Sequence, residues 1–165
     1  MAYDGFLQID GIPGESTDEA HADWIEIISF RHDVSQPAGT ATSRVGGRTG
    51  ARVNVADFTI TKVIDKSTPN LNLYCCNGQH IPKVTIELCE AGGDKHMYMQ
   101  WILEDVIISS VKPSGVANEE VYTRPIEEVS FNFGLIRWAY TPMDHTGKPG
   151  AAMQAGWSME LNKPM

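Results

Sequence analysis

Cysteine is scarce in this chain of 165 residues, with only Cys75, Cys76 and Cys89 present. A disulfide framework needs an even, spaced set, so these three read as reduced, partly buried thiols. No CxxC pair occurs, and the five histidines (His21, His32, His80, His96, His145) form neither HxH nor HxxxH. A structural zinc site is therefore not expected. Long apolar runs are missing as well, since none reaches the roughly 18 residues of a membrane span. The N-terminal MAYDGFLQIDG has no basic segment leading into an apolar stretch, so cytoplasmic synthesis without a conventional signal peptide is expected. Positive charge is in deficit, at 13 Lys and Arg against 21 Asp and Glu, for a net −8. Phosphate recognition needs a concentrated basic surface, and Arg44, Arg48 and Arg52 are merely spread through a glycine-rich loop. Nucleic acid is not an expected partner.

Enzyme signatures are equally thin. No GxSxG elbow and no local Cys/His signature is present. Gly46, Gly47 and Gly50 lack the GxxxxGK[ST] pattern and a following amphipathic helix, so no phosphate loop is read there. Glu87, Glu90, Glu104, Asp105, Glu119, Glu120, Glu127 and Glu128 read as a solvated surface rather than a glycosidase pair, and Asp33 as a turn residue. No catalysis, metal or cofactor is expected.

What the chain does contain is alternation with period two. Residues 3–9, 24–32, 57–64, 83–89, 97–111, 129–140 and 156–161 read as strands divided by Gly, Pro, Asn and Asp clusters, an all-β sandwich or barrel. In 24–32, Trp24, Ile28 and Phe30 share one face. In 97–111 both alternating sets are largely apolar: Met97, Met99, Trp101, Leu103 and Ile107 on one side, Ile102, Val106 and Ile108 on the other. Burial on both sides, by a second layer or by a partner subunit, is the expectation. Residues 35–52 form a long glycine-rich extended loop, of the kind that is usually functional or disordered.

One stretch, VIDKSTPNLNLYCCNGQHIP at 63–82, crowds Asp65, Ser67, Thr68, two cysteines and His80 together. It reads as structure rather than chemistry. Thr68 can cap a helix, Pro69 suits its first turn, Gly78 suits its exit, and Leu71, Tyr74 and Cys75 share a face. A short helix at about residues 69–77 follows, although LNLYC also alternates like a strand.

These motifs, in order, resemble the haemolysin-coregulated protein (Hcp) family of type VI secretion systems. The matching pieces are MAYDGFLQIDGIPGES with HADWIEI, VNVADFTITKVIDKSTPNL, CEAGGDKHMYMQWILEDVIISSV, SFNFGLIRWAYTP and GWSMELN. The resemblance implies a mainly β fold: one domain over 1–165, a compact two-sheet β-barrel flanked by the short α-helix. It further implies a homohexameric ring, stacking of rings into an expelled tube inside a sheath and behind a spike, and carriage of effector proteins in the channel. Export through such a machine needs no signal peptide. A C-terminal toxin domain is not expected, the sequence ending three residues after Asn162. By position, Thr42, Ser43, Arg44, Val45, Gly46, Gly47 and Arg48 are expected to mediate ring stacking. Ser29 and Arg31, opposite Trp24, Ile28 and Phe30, are expected to face channel and cargo. The competing reading is a stand-alone β-sandwich module that binds carbohydrate or protein, for which Trp101, Trp138 and Trp157 would have to form an exposed platform. An unrecognised β-fold hydrolase is the remaining alternative, without an identifiable nucleophile and base.

Six chains at −8 would place about −48 on one ring. Stacking of rings should therefore strengthen as salt screens the exposed charge. Sedimentation of the purified protein across a salt series checks this; stacking that weakens with salt would point instead to arginine-mediated contacts.

Overall fold

The computed structural model describes residues 2–37, 50–117 and 121–165. The expected stacking residues Thr42 to Arg48, together with Glu119 and Glu120, lie outside the described residues. The elements in order are β1 (Tyr3–Ile9), β2 (Ile25–Ile27), β3 (Ser29–Arg31), β4 (Val34–Ser35), β5 (Asn54–Val55) and β6 (Phe58–Val63). They continue with α1 (Thr68–Asn77), β7 (Ile81–Glu90), β8 (Met97–Ser114), β9 (Ile126–Tyr140), β10 (Met153–Ser158) and β11 (Lys163–Pro164). Every strand expected from the alternation is present. The two-residue β4, β5 and β11 are too short to carry a pattern.

All pairings are antiparallel. Strands β1, β7, β8 and β9 lie side by side, and β9 pairs with β6 along its first half and β10 along its second. At the other edge β1 pairs with β2, and after one residue β3 pairs with β6. The joint is Ile28, whose N–H donates to the Thr61 carbonyl at 2.7 Å. There the inward set changes: Ile25 and Ile27 are buried before the joint and Phe30 packs on the core after it. The expected common face of Trp24, Ile28 and Phe30 is thus corrected, because the joint costs one step of alternation. Ser29 and Arg31 still lie opposite Phe30.

A larger change of face explains the doubly apolar run of β8. Val84, Leu103 and Ile136 form one buried cross-strand row, and Ile81, Val106 and Phe133 form the next. The rows are three residues apart on each strand instead of two, so all three strands exchange their inward faces along one line. Asp105 makes the turn in β8 with φ 52°. Gly134 faces it, where an added Cβ would sit 2.9 Å from the Asp105 carboxylate. Bends of this kind let one strand serve two packed layers. Trp101 and Leu103 point inward before the bend, Val106 and Ile108 after it. The apolar run therefore follows from a bend and does not of itself require a partner subunit.

The helix forms as expected but is held differently. It contains no acid in its first turn and no base in its last. Gly78 ends it with φ 62°, its N–H reaching Tyr74 O. Leu71 is its buried anchor, with Tyr74 and Cys75 packed partly against the core. The position before the helix is Ser67, not Thr68, and Ser67 makes no side-chain cap: its hydroxyl turns back to Asp65. Thr68 is engaged elsewhere, donating to Glu127 Oε1 at 2.7 Å.

The reason lies beneath it. Lys62 and Glu127 are cross-strand partners on the inward face of β6 and β9, both wholly buried. Lys62 Nζ donates to Glu127 Oε1 at 2.6 Å, Asp65 Oδ1 at 2.9 Å and Val63 O at 2.9 Å. All three ammonium protons are spent, which is the condition for burying a charge at acceptable cost. Glu127 is therefore no solvated surface group, contrary to the sequence expectation. Lys62→Met should strand a buried carboxylate and cost about 3–5 kcal/mol, whereas Lys62→Met with Glu127→Leu should regain most of the loss. Urea unfolding of the two variants beside the parent measures both.

Candidate functional site

Opposite the core, the sheet presents a hydrophilic face built from four strands. Cross-strand register sets two rows on it: Arg31, Thr59, Ser130 and Ser110 in one, Ser29, Thr61, Glu128 and Lys112 in the other. Because partners in register share a face, strand parity alone aligns these groups. Thr59 and Ser130 hydroxyls join at 2.9 Å, and Arg31 Nη2 donates to Glu128 Oε1 at 3.3 Å. Asp57 extends the face by accepting from Ser109 at 2.6 Å and Asn132 at 2.9 Å. The Arg31 side chain is 72% exposed, so its ion pair with Glu128 is weak and the guanidinium stays available. Thr59 and Ser130 are themselves buried, so the groups that this face exposes are Ser29, Arg31, Ser109, Lys112 and Asn132. No histidine bonds to these hydroxyls among the described residues, so none is primed as a nucleophile. Both expected contact residues, Ser29 and Arg31, lie on this face. Thr59, Thr61, Glu128 and Ser130 were missed, although their alternation in β6 and β9 was readable.

The chemistry-bearing residues elsewhere are tied into the fold. His21 is buried, stacked on Phe6 at 4.1 Å and set edge-on to Trp24 at 4.8 Å. Its two ring nitrogens lie 2.7 Å from Asp18 Oδ2 and 2.7 Å from Glu87 Oε2. Lys95 then bridges Asp18 at 2.8 Å and Asp4 at 3.0 Å. The ammonium of Lys95, and then His21, pull the Asp18 carboxyl down to about 2. This cluster pins the connection between β1 and β2 over the outer face of β1 and β7. A carboxylate–histidine–carboxylate set resembles catalytic machinery, but with the ring buried and both nitrogens bonded it has no free position for a substrate.

The cysteines are unpaired: Cys89 buried, Cys75 half-buried, Cys76 exposed. Burial, then the charge of Glu87, pushes the Cys89 thiol up to about 11, the opposite of a reactive thiolate. His80 is exposed and pairs with Asp105 at 3.0 Å. Among the described residues no group of three metal-ligating side chains converges, and no helix is long and apolar enough to cross a membrane. Trp101 is buried, and Trp138 and Trp157 pack partly against the core, so these three do not form the exposed platform a carbohydrate module would need.

His32 follows β3 and leads to β4. Its ring lies 5.4 Å from Phe58 and 5.9 Å from Phe133, and both buried ring nitrogens have no hydrogen-bond partner among the described residues. Burial lowers its pKa from 6.5, outweighing the backbone of Ala56 and Asp57 and the carboxylate of Asp33. The fold thus favours neutral His32. That contribution is complete above 6.5 and is lost as pH falls through and below it. His32→Phe should consequently lose less stability than the parent between about pH 7 and about pH 5, as followed by denaturant midpoints. Asp18 acts lower on the scale, its contribution present above 3.8 and lost as pH falls toward about 2.

Comparison with known proteins agrees with this architecture. The model of a family described as "Type VI secretion system effector, Hcp" matches residues 6–140. "Protein hcp1" of Pseudomonas aeruginosa is 36% identical over 164 residues, covering 98% of each sequence. "Major exported protein" of the same organism is 30% identical over 132 residues, 77% of this chain and 74% of its own. A solved structure described as a type six secretion system protein superimposes with a TM-score of 0.93 at 28% identity, over 99% of this chain and 100% of that one. Matched along nearly its whole length in sequence and in fold, the chain belongs to the Hcp family of type VI secretion proteins.

Proposed function

We propose that this protein is a tube subunit of a type VI secretion system, exported through that machine together with its cargo. Its single domain, residues 1–165, is read as a two-sheet barrel that closes where β2 runs into β3. Six copies form a ring, and rings stack into a tube through the loop containing Thr42, Ser43, Arg44, Val45, Gly46, Gly47 and Arg48. The tube is expelled within a sheath and behind a spike, and effector proteins travel in the ring channel. The protein acts as carrier and not as an enzyme, and needs no cofactor.

The observation that supports this most is the four-strand hydrophilic face carrying Ser29 and Arg31. In a hexamer of this fold a face that is polar over two full rows, yet backed by a continuous core, suits a channel wall. It would hold folded cargo through many weak hydrogen bonds rather than one deep pocket. An interface of that type is wet and tolerant of different partners.

Negative-stain microscopy of the purified protein is the first test. Rings or short tubes are the expected outcome, and compact particles would sink the proposal in favour of a stand-alone binding module. Arg31→Asp tests the channel assignment: it should weaken retention of at least one effector by about 1–3 kcal/mol while rings persist. Unchanged binding of every effector would remove Arg31 from the contact surface.

A further inference from the structure

We propose that the hollow where the ends of β1, β7, β8 and β9 meet binds a single organic cation of the alkylammonium type. It is lined by Tyr3, Tyr98, Tyr140 and Glu90, with Met143 and Thr141 at its margin. Antiparallel order brings these residues together: Tyr3 opens β1 and is the register partner of Glu90, the last residue of β7. Tyr98 lies at the start of β8 and Tyr140 at the end of β9, where Thr141 N–H donates to Tyr98 O at 2.9 Å. Three tyrosines and a carboxylate thus line one hollow, with the Tyr3 ring also set edge-on to Phe30 at 6.2 Å; aromatic groups beside a carboxylate are the kind of surface to which organic cations bind.

Two further observations narrow the choice of ligand to a cation. The first is that Glu90 is uncommitted among the described residues. Lys95, on the loop after β7, is taken by Asp4 and Asp18. The second is the sign of the charge there: burial is the main cause that pushes the Tyr98 hydroxyl up, and the Glu90 carboxylate adds to it. That carboxylate, which disfavours a phenolate, favours a positive guest. The three tyrosine hydroxyls make no side-chain hydrogen bond with the described residues. This site is independent of the channel proposed above, since it lies at one end of the sheet and uses none of Ser29, Arg31 or Glu128.

The test is a proton NMR titration of the full chain with choline and with its neutral isostere 3,3-dimethyl-1-butanol, following the tyrosine ring signals. Choline should bind in the millimolar range and the alcohol about tenfold more weakly or not at all. Tyr140→Ala, at a residue 48% exposed, and Glu90→Gln should each weaken choline binding by about fivefold or more, whereas Tyr140→Phe should retain it. A melting temperature within a few degrees of the parent certifies the variants as folded. Equal binding of the alcohol, or choline binding untouched by both Tyr140→Ala and Glu90→Gln, overturns the assignment. N-acetyl-lysine methylamide separates the sources: its binding assigns the site to a side chain of a partner protein, and binding of choline alone assigns it to a free quaternary amine.

Discussion

A lysine and a glutamate buried side by side on the inward face of a sheet set the terms for the rest of this molecule. Lys62 and Glu127 face each other across β6 and β9 where one would expect two aliphatic side chains. Such a pair survives only if every proton is matched, and the partners that match it come from the next few residues of the chain. Asp65 and the Val63 carbonyl complete the ammonium, and Thr68 shares the same carboxylate oxygen. Four side chains and one carbonyl thereby fix where β6 stops, how the chain turns and where α1 begins. The helix needs this, having little intrinsic propensity and no charge to suit its dipole.

Much of this was legible in advance, though for reasons that differ by residue. Long strands announced themselves through alternation, and Gly78 announced the end of the helix because few residues other than glycine adopt φ 62° without strain. The crowded stretch at 63–82 was rightly read as structural. Its mechanism was hidden, since the decisive partner, Glu127, is 65 residues from Lys62 in sequence. Spacing rules describe neighbours on one element and say nothing about a cross-sheet carboxylate. Glu87 and His21 escaped for the same reason, being 66 residues apart and joined only once the β1–β2 connection folds back. The faces of 24–32 and 97–111 were misread where alternation was carried through a joint and a bend. Parity is reliable only between such points. Ser29 and Arg31 kept their face because both lie on the far side of the joint.

Charge is sorted by depth in a consistent way. Groups that could do chemistry, namely His21 with its two carboxylates and Lys62 with its three acceptors, are spent on holding connections in place. The accessible hydrophilic face is left with hydroxyls, an amide, the Asp57 carboxylate, Lys112 and a loose ion pair. That division is what the carrier role proposed above would ask for. Cys89 fits the pattern, its thiol kept protonated by burial in the core beside Glu87.

The shared bend across β7, β8 and β9 has a consequence for how such a protein can vary. Because three neighbouring strands exchange faces along a single line, their lengths on either side of it are interlocked. A residue inserted into one of them would move its later side chains to the wrong layer unless both neighbours gained a residue at the same level or a bulge absorbed it, as between Ile108 and Ser110 in β8. Length changes are thus channelled away from the sheet and into its hairpin tips and connecting loops. A chain built this way holds its wall constant while leaving its protruding parts free to diversify.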